Sequence, residues 1–186
     1  VPDTLWPEIP SRLHKFGFKD IDHNADERSI GWGCFDDMLD PEWKTAPPEK
    51  GAYLAFALRL DTRRIAPAVF KKHFRLAREK AEREIREQGR KYLSRDRKKE
   101  ISEQVRLKLM ARSLPIPAVF DIAWNIQANT IYLGSTRSKV QEMFVQEFIR
   151  TFDLHLEPMT PYTMALNALG PKFQSQLDDV EAACFV

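Results

Sequence analysis

Cysteine is scarce in this chain. Two residues in 186, Cys34 and Cys184, stand far apart and match no metal or redox spacing. Reduced thiols in a cytoplasmic protein are therefore the expectation. Glycine is scarce too: seven residues leave few places for a Gly-rich phosphate loop, and none is present. No apolar run approaches the roughly 18 residues that a membrane span requires. The opening lacks the basic-then-apolar pattern of a signal peptide. There is no zinc-ligand spacing and no Ser–His–Asp arrangement. His14, His73 and His155 have no spaced partners and are expected to be structural. These absences set aside cofactor chemistry, disulfide scaffolds and membrane spans, and no cofactor or metal is expected.

Net charge is also small, since 29 Lys/Arg stand against 27 Asp/Glu, a balance of +2. It is not evenly spread. Residues 63–112 hold 18 Lys/Arg against 7 Asp/Glu, a surplus of eleven, which leaves 11 against 20 in the rest of the chain. A near-neutral protein has gathered its positive charge into about a quarter of its length. Such separation points to a polyanionic partner.

The basic stretch predicts two helices. Pro67 suits a first helical turn. Phe70, Phe74, Ala77, Ala81 and Ile85 then recur at steps of four, three, four and four, the spacing of one narrow helical face. Gly89 is a stop signal. Ser94 is placed to cap a second helix, with Asp96 in its first turn and Ile101, Val105 and Leu109 as its seam. Pro115 and Pro117 end it. Together these predict an antiparallel helical arm that packs on itself and exposes its charge. The bland alternative is a solvated hairpin held by i,i+4 Glu–Lys and Glu–Arg pairs.

Outside the arm, a first helix is expected through about Phe16, capped by Asp3 or Thr4. Strands are expected at 29–35, 53–60, 118–126 and 130–133, with a short last one at 154–157. Ser135 or Thr136 is placed to cap a helix with Val140, Phe144, Phe148 and Phe152 buried. The tail from Thr160 should be helical in pieces around Gly170 and Pro171. Trp32 and Trp124 alternate within strands and read as core; Trp43, in a polar loop, is the tryptophan to test for nucleic-acid contact. The expected fold is α+β: an antiparallel or mixed sheet with helices on one face and a projecting two-helix basic arm. The core would be 1–62 and 114–186, and the arm 63–113.

The ordered series ALRLDTRRI, RDRKKEISEQVRLKLMARSLP, PAVFDIAWN, IYLGSTRSKVQEMF and LHLEPMTPY resembles the RdgC family of bacterial recombination-associated DNA-binding proteins. The helix before Gly17 and the Gly31–Trp32 pair also fit. The resemblance runs from about Thr4 to Tyr162 and matches the first two-thirds of a family member. It implies a homodimer that binds duplex DNA with little sequence preference, restrains recombinase access and is nucleoid-associated in the cytoplasm.

The DNA-binding residues expected are Arg90, Lys91, Arg95, Arg97, Lys98 and Lys99 near the arm's tip, then Lys71, Lys72, Arg75, Arg106 and Lys108. Lys and Arg there would neutralise phosphates and release condensed counterions. Arg63 and Arg64, at the arm's root, could meet DNA or tether the arm to an acidic loop. Two other readings stand beside this one. A metal-dependent nuclease would use Asp36, Asp37 and Asp40, with His23 or Asp26 nearby. A protein-interaction module would dock the arm on an acidic partner or on a second copy.

Overall fold

The computed structural model describes residues 5–24, 26–87, 89 and 92–181. Its centre is β3 (Tyr53–Thr62), a ten-residue strand paired antiparallel on both sides, with β1 (Arg28–Cys34) along one edge and β4 (Ile116–Asn125) along the other. A two-residue strand, β2 (Glu49–Lys50), folds back on the start of β3 through Gly51, whose φ of +64° suits the tight reversal. β4 turns into β5 (Thr130–Leu133) and completes a five-stranded antiparallel sheet. The sequence left the sheet antiparallel or mixed; it is antiparallel, and the fold is α+β.

Period-two alternation decides which face is covered. The register places Ile30, Trp32 and Cys34 beside Leu60, Leu58 and Phe56, and these beside Ala118, Phe120 and Ile122. Two helices pack on that apolar face: α1 (Ile9–Lys15) and α4 (Ser138–Phe152). Trp32 and Trp124 are its centre, fully buried, with Phe56 5.3 Å edge-on to Trp32 and Phe148 5.2 Å edge-on to Trp124. Each such aromatic contributes roughly 1.5–3 kcal/mol by burial. The one polar atom Trp32 carries inward is matched: its Nε1 donates to Thr151 Oγ1 at 2.7 Å, and that hydroxyl donates to the Glu147 carbonyl at 2.7 Å. Gly31 is needed for another reason, because a Cβ there would lie 2.6 Å from the Phe18 backbone, which pairs against β1.

The arm is α2 (Pro67–Glu87) and α3 (Arg95–Met110). Ser94 caps α3 as expected, its hydroxyl accepting the Arg97 N–H. The seams meet in a small cluster of their own: Ala81, Leu93, Ile101 and Val105 are buried, with Phe70, Phe74, Ala77, Ile85 and Leu109 around them. This cluster is separate from the one beneath the sheet.

Three expectations change. The first helix is a short 3-10 turn (Trp6–Glu8) leading into α1, so Pro10 falls in the first turn of an α-helix, where a missing N–H costs nothing. Its expected caps, Asp3 and Thr4, lie outside the described residues. The stretch 154–157 belongs to no helix or strand, though Leu154 and Leu156 pack on the core; the alternation records burial, not a ladder. At α4 the Ncap position belongs to Arg137, and the Ser135 hydroxyl accepts the Arg137 N–H instead. The tail follows its pattern, with α5 (Pro161–Leu169) capped by Thr160 and α6 (Gln174–Asp178) beyond a 3-10 turn.

Candidate nucleic-acid interface

Nine of the eleven expected DNA-binding cations lie within the described residues, and all nine are exposed: Lys71, Lys72, Arg75, Arg95, Arg97, Lys98, Lys99, Arg106 and Lys108. Arg90 and Lys91 lie outside the described residues. Helical geometry groups seven of the nine, while Arg97 and Lys108 line the groove between α2 and α3. On α3, Arg95, Lys99 and Arg106 stand at i, i+4 and i+11 and share one stripe, with Lys98 beside it. Asp96, Glu100 and Glu103 form a neighbouring acidic stripe. On α2, Lys71, Lys72 and Arg75 lie on the second and third turns, on a flank away from the seam.

Acidic neighbours take up only part of this charge. Arg75 meets Glu79 at 3.4 Å, Arg97 meets Glu100 at 2.8 Å, and Arg106 reaches Glu27 at 3.5 Å. These pairs are solvent-exposed and are worth at most about 1 kcal/mol each, so a phosphate can compete for the cation. Lys71, Lys72, Arg95, Lys98, Lys99 and Lys108 have no carboxylate within 4 Å among the described residues. The i,i+4 pairs of a solvated hairpin are therefore present, at Arg75–Glu79, Arg78–Glu82 and Lys80–Glu84, and they do not exhaust the surplus.

Arg63 belongs to the structural side. It is 4% exposed, and its Nη1 donates to the Asn24 carbonyl while Nη2 donates to those of Ile21 and Asp22. Of the two roles left open, tethering is the one its surroundings serve: a buried guanidinium holding the 21–24 loop at the root of the arm. Arg64 is exposed. Trp43 is a correction. It is buried at 9% exposure, edge-on to His14 at 5.2 Å, so the polar loop folds over it and takes it out of reach of a nucleic acid.

The three aspartates of the nuclease reading, Asp36, Asp37 and Asp40, are engaged by the chain itself. Asp40 is buried, and its oxygens accept the N–H groups of Glu42 and Thr45. Burial pushes its carboxyl up, but the N–H donors from Thr45, Glu42 and Lys44 outweigh that and hold it below the ordinary carboxylate value. Asp36 pairs with Lys50 at 2.7 Å, and Asp37 accepts the Leu39 N–H at 2.9 Å. Among the described residues no group of three His, Cys, Asp or Glu is placed to hold a metal ion. Nor is any described helix long and apolar enough to cross a membrane.

One residue was not singled out from the sequence. Tyr92, in the turn between the helices, is 87% exposed, more than any other large hydrophobic side chain described. An aromatic set between Lys91 and Arg95 was the available signal.

The class these features define is an α+β protein that carries a cationic helical hairpin with a small core of its own. No protein-family model matches the chain, and no curated protein matches it.

Proposed function

We propose that this protein binds DNA without sequence preference through the α2–α3 arm, in the manner its resemblance to the RdgC family implies: as a homodimer that limits recombinase access to DNA. The observation that carries the reading is the exposed, largely unpaired positive charge of the arm, set against a net negative remainder. Guanidinium and ammonium groups in that setting gain most from phosphate, because each contact releases a condensed counterion. They carry no pattern of base-edge contacts, so affinity without sequence reading is the consequence. The acidic remainder repels DNA and orients its approach arm-first. Catalysis receives less support, since the aspartates that would carry it are engaged with Lys50 and with backbone N–H groups.

A salt titration of affinity for a mixed-sequence DNA tests this. If six to ten phosphates are contacted, affinity falls about 10³–10⁵-fold between 50 and 200 mM salt. The double substitution Lys98→Gln, Lys99→Gln weakens binding to all sequences alike and lowers the salt slope by about two. A complex indifferent to salt, or one untouched by this substitution and by excess heparin, contradicts the reading. Sedimentation of the same preparations, with and without DNA, reports whether the binding species is a dimer.

A further inference from the structure

We infer that Tyr92 is a base-stacking side chain and that the tip of the arm binds DNA with unpaired nucleotides more tightly than duplex; this rests on the DNA-binding reading above. A tyrosine ring is costly to leave in water, yet Tyr92 is 87% exposed. It is also held in place. The next residue, Leu93, is 7% exposed in the arm's cluster, and Ser94 caps α3 immediately after it. With Leu93 anchored inward and Ser94 capping α3, Tyr92 faces outward just before the helix.

The surrounding charge selects a side of approach. Tyr92 borders a hollow that is also lined by Glu84, Asp96, Glu100 and Arg97, and Arg97 pairs with Glu100 at 2.8 Å. Three carboxylates against one cation leave that side net negative, which disfavours phosphate. Arg95, Lys98 and Lys99, exposed within the first turn and a half of α3, offer the alternative path. A strand running along them passes the aromatic ring with its phosphates neutralised. Every nucleobase has a face that can stack on such a ring, whereas in an intact duplex those faces are already covered by neighbouring base pairs. Cations beside an exposed aromatic are the two components of a single-strand platform.

The test compares a single-stranded oligonucleotide with a blunt duplex of the same length and sequence, using the whole chain with wild-type Tyr92, Tyr92→Ala, Tyr92→Phe and Tyr92→Trp. Tyr92→Ala should weaken single-strand binding roughly 5- to 150-fold, the equivalent of losing one stacked base. Duplex affinity should move less than twofold, and the salt slope should not change. Tyr92→Phe should retain single-strand affinity, because the ring and not the hydroxyl stacks. The Tyr92→Trp protein should show an added fluorescence component quenched by the single strand and not by the duplex. Equal losses on both DNAs, or no loss on either while Lys98→Gln, Lys99→Gln still weakens binding, overturn the stacking inference and leave the DNA-binding reading standing. Failure of the wild-type protein to bind either DNA at low salt overturns both.

Discussion

At the scale of single residues, the buried polar groups show where packing and electrostatics conflict. Glu147 lies on the covered side of α4 at 9% exposure. Burial pushes its carboxyl above the ordinary value, and the charges of Arg150 and Arg28 only partly offset that. Its Oε2 approaches Arg150 without forming a hydrogen bond. The sign follows from the direction. A carboxyl whose pKa is higher folded than unfolded is destabilising when ionised, and the cost fades as pH falls through the raised folded value toward the ordinary 4.5. Glu147→Gln should therefore stabilise the protein at pH 7. The gain should shrink on acidification and vanish below the ordinary carboxyl range. Urea unfolding of both proteins across pH 4–7 checks it; a constant difference would remove titration as the cause. Asp40 has the opposite sign: its lowered carboxyl adds stability above its ordinary value of 3.8 that is lost as pH falls below it.

At the scale of elements, the arm and the sheet differ in how much holds each together. The sheet's cluster joins three tryptophans, several phenylalanines and two helices. The arm's own cluster has four buried side chains, the largest of them Leu93 and Ile101. Ile101→Ala should cost about 2–4 kcal/mol, a large share of what so small a cluster can supply. Hydrogen exchange should accelerate across 67–110 while the emission of the buried tryptophans under the sheet stays unchanged. Loss of both together would mean that arm and sheet unfold as one unit.

The arm helices were legible because their apolar spacing, the Ser94 cap and the flanking Pro67 and Pro115 all agree. Strands 53–60, 118–126 and 130–133 were legible by alternation, to within two residues at each end. The stretch 154–157 shows the limit of that signal. Alternation reports which side chains are covered, and a segment lying on a core can alternate whether or not a neighbour offers it hydrogen bonds. β2 was missed for the converse reason: two residues, Glu49 and Lys50, have no period.

At the scale of the whole molecule, what matters is where charge sits, not its total. Replacing Lys71, Lys72, Lys98 and Lys99 by Gln takes the chain from +2 to −2. Replacing Lys15, Lys19, Lys44 and Lys139, which are exposed outside the arm, does the same. On a heparin column the first variant should elute at much lower salt than the wild type, and the second close to it. Equal shifts would show that net charge alone governs retention and that the arm has no special standing.

Composition and order were enough to establish an α+β protein with its positive charge in one helical hairpin, because helical period, strand alternation and charge counts are all local properties of the chain. Tertiary structure alone decided which cations meet solvent and which do not. Arg63 and Lys98 are both cationic residues of the same basic stretch, yet one is walled in by the carbonyls of a loop about forty residues away and the other stands free. Trp43 likewise lies buried although its polar neighbours suggested exposure. Burial depends on which distant segments fold over a side chain, and no local pattern carries that information.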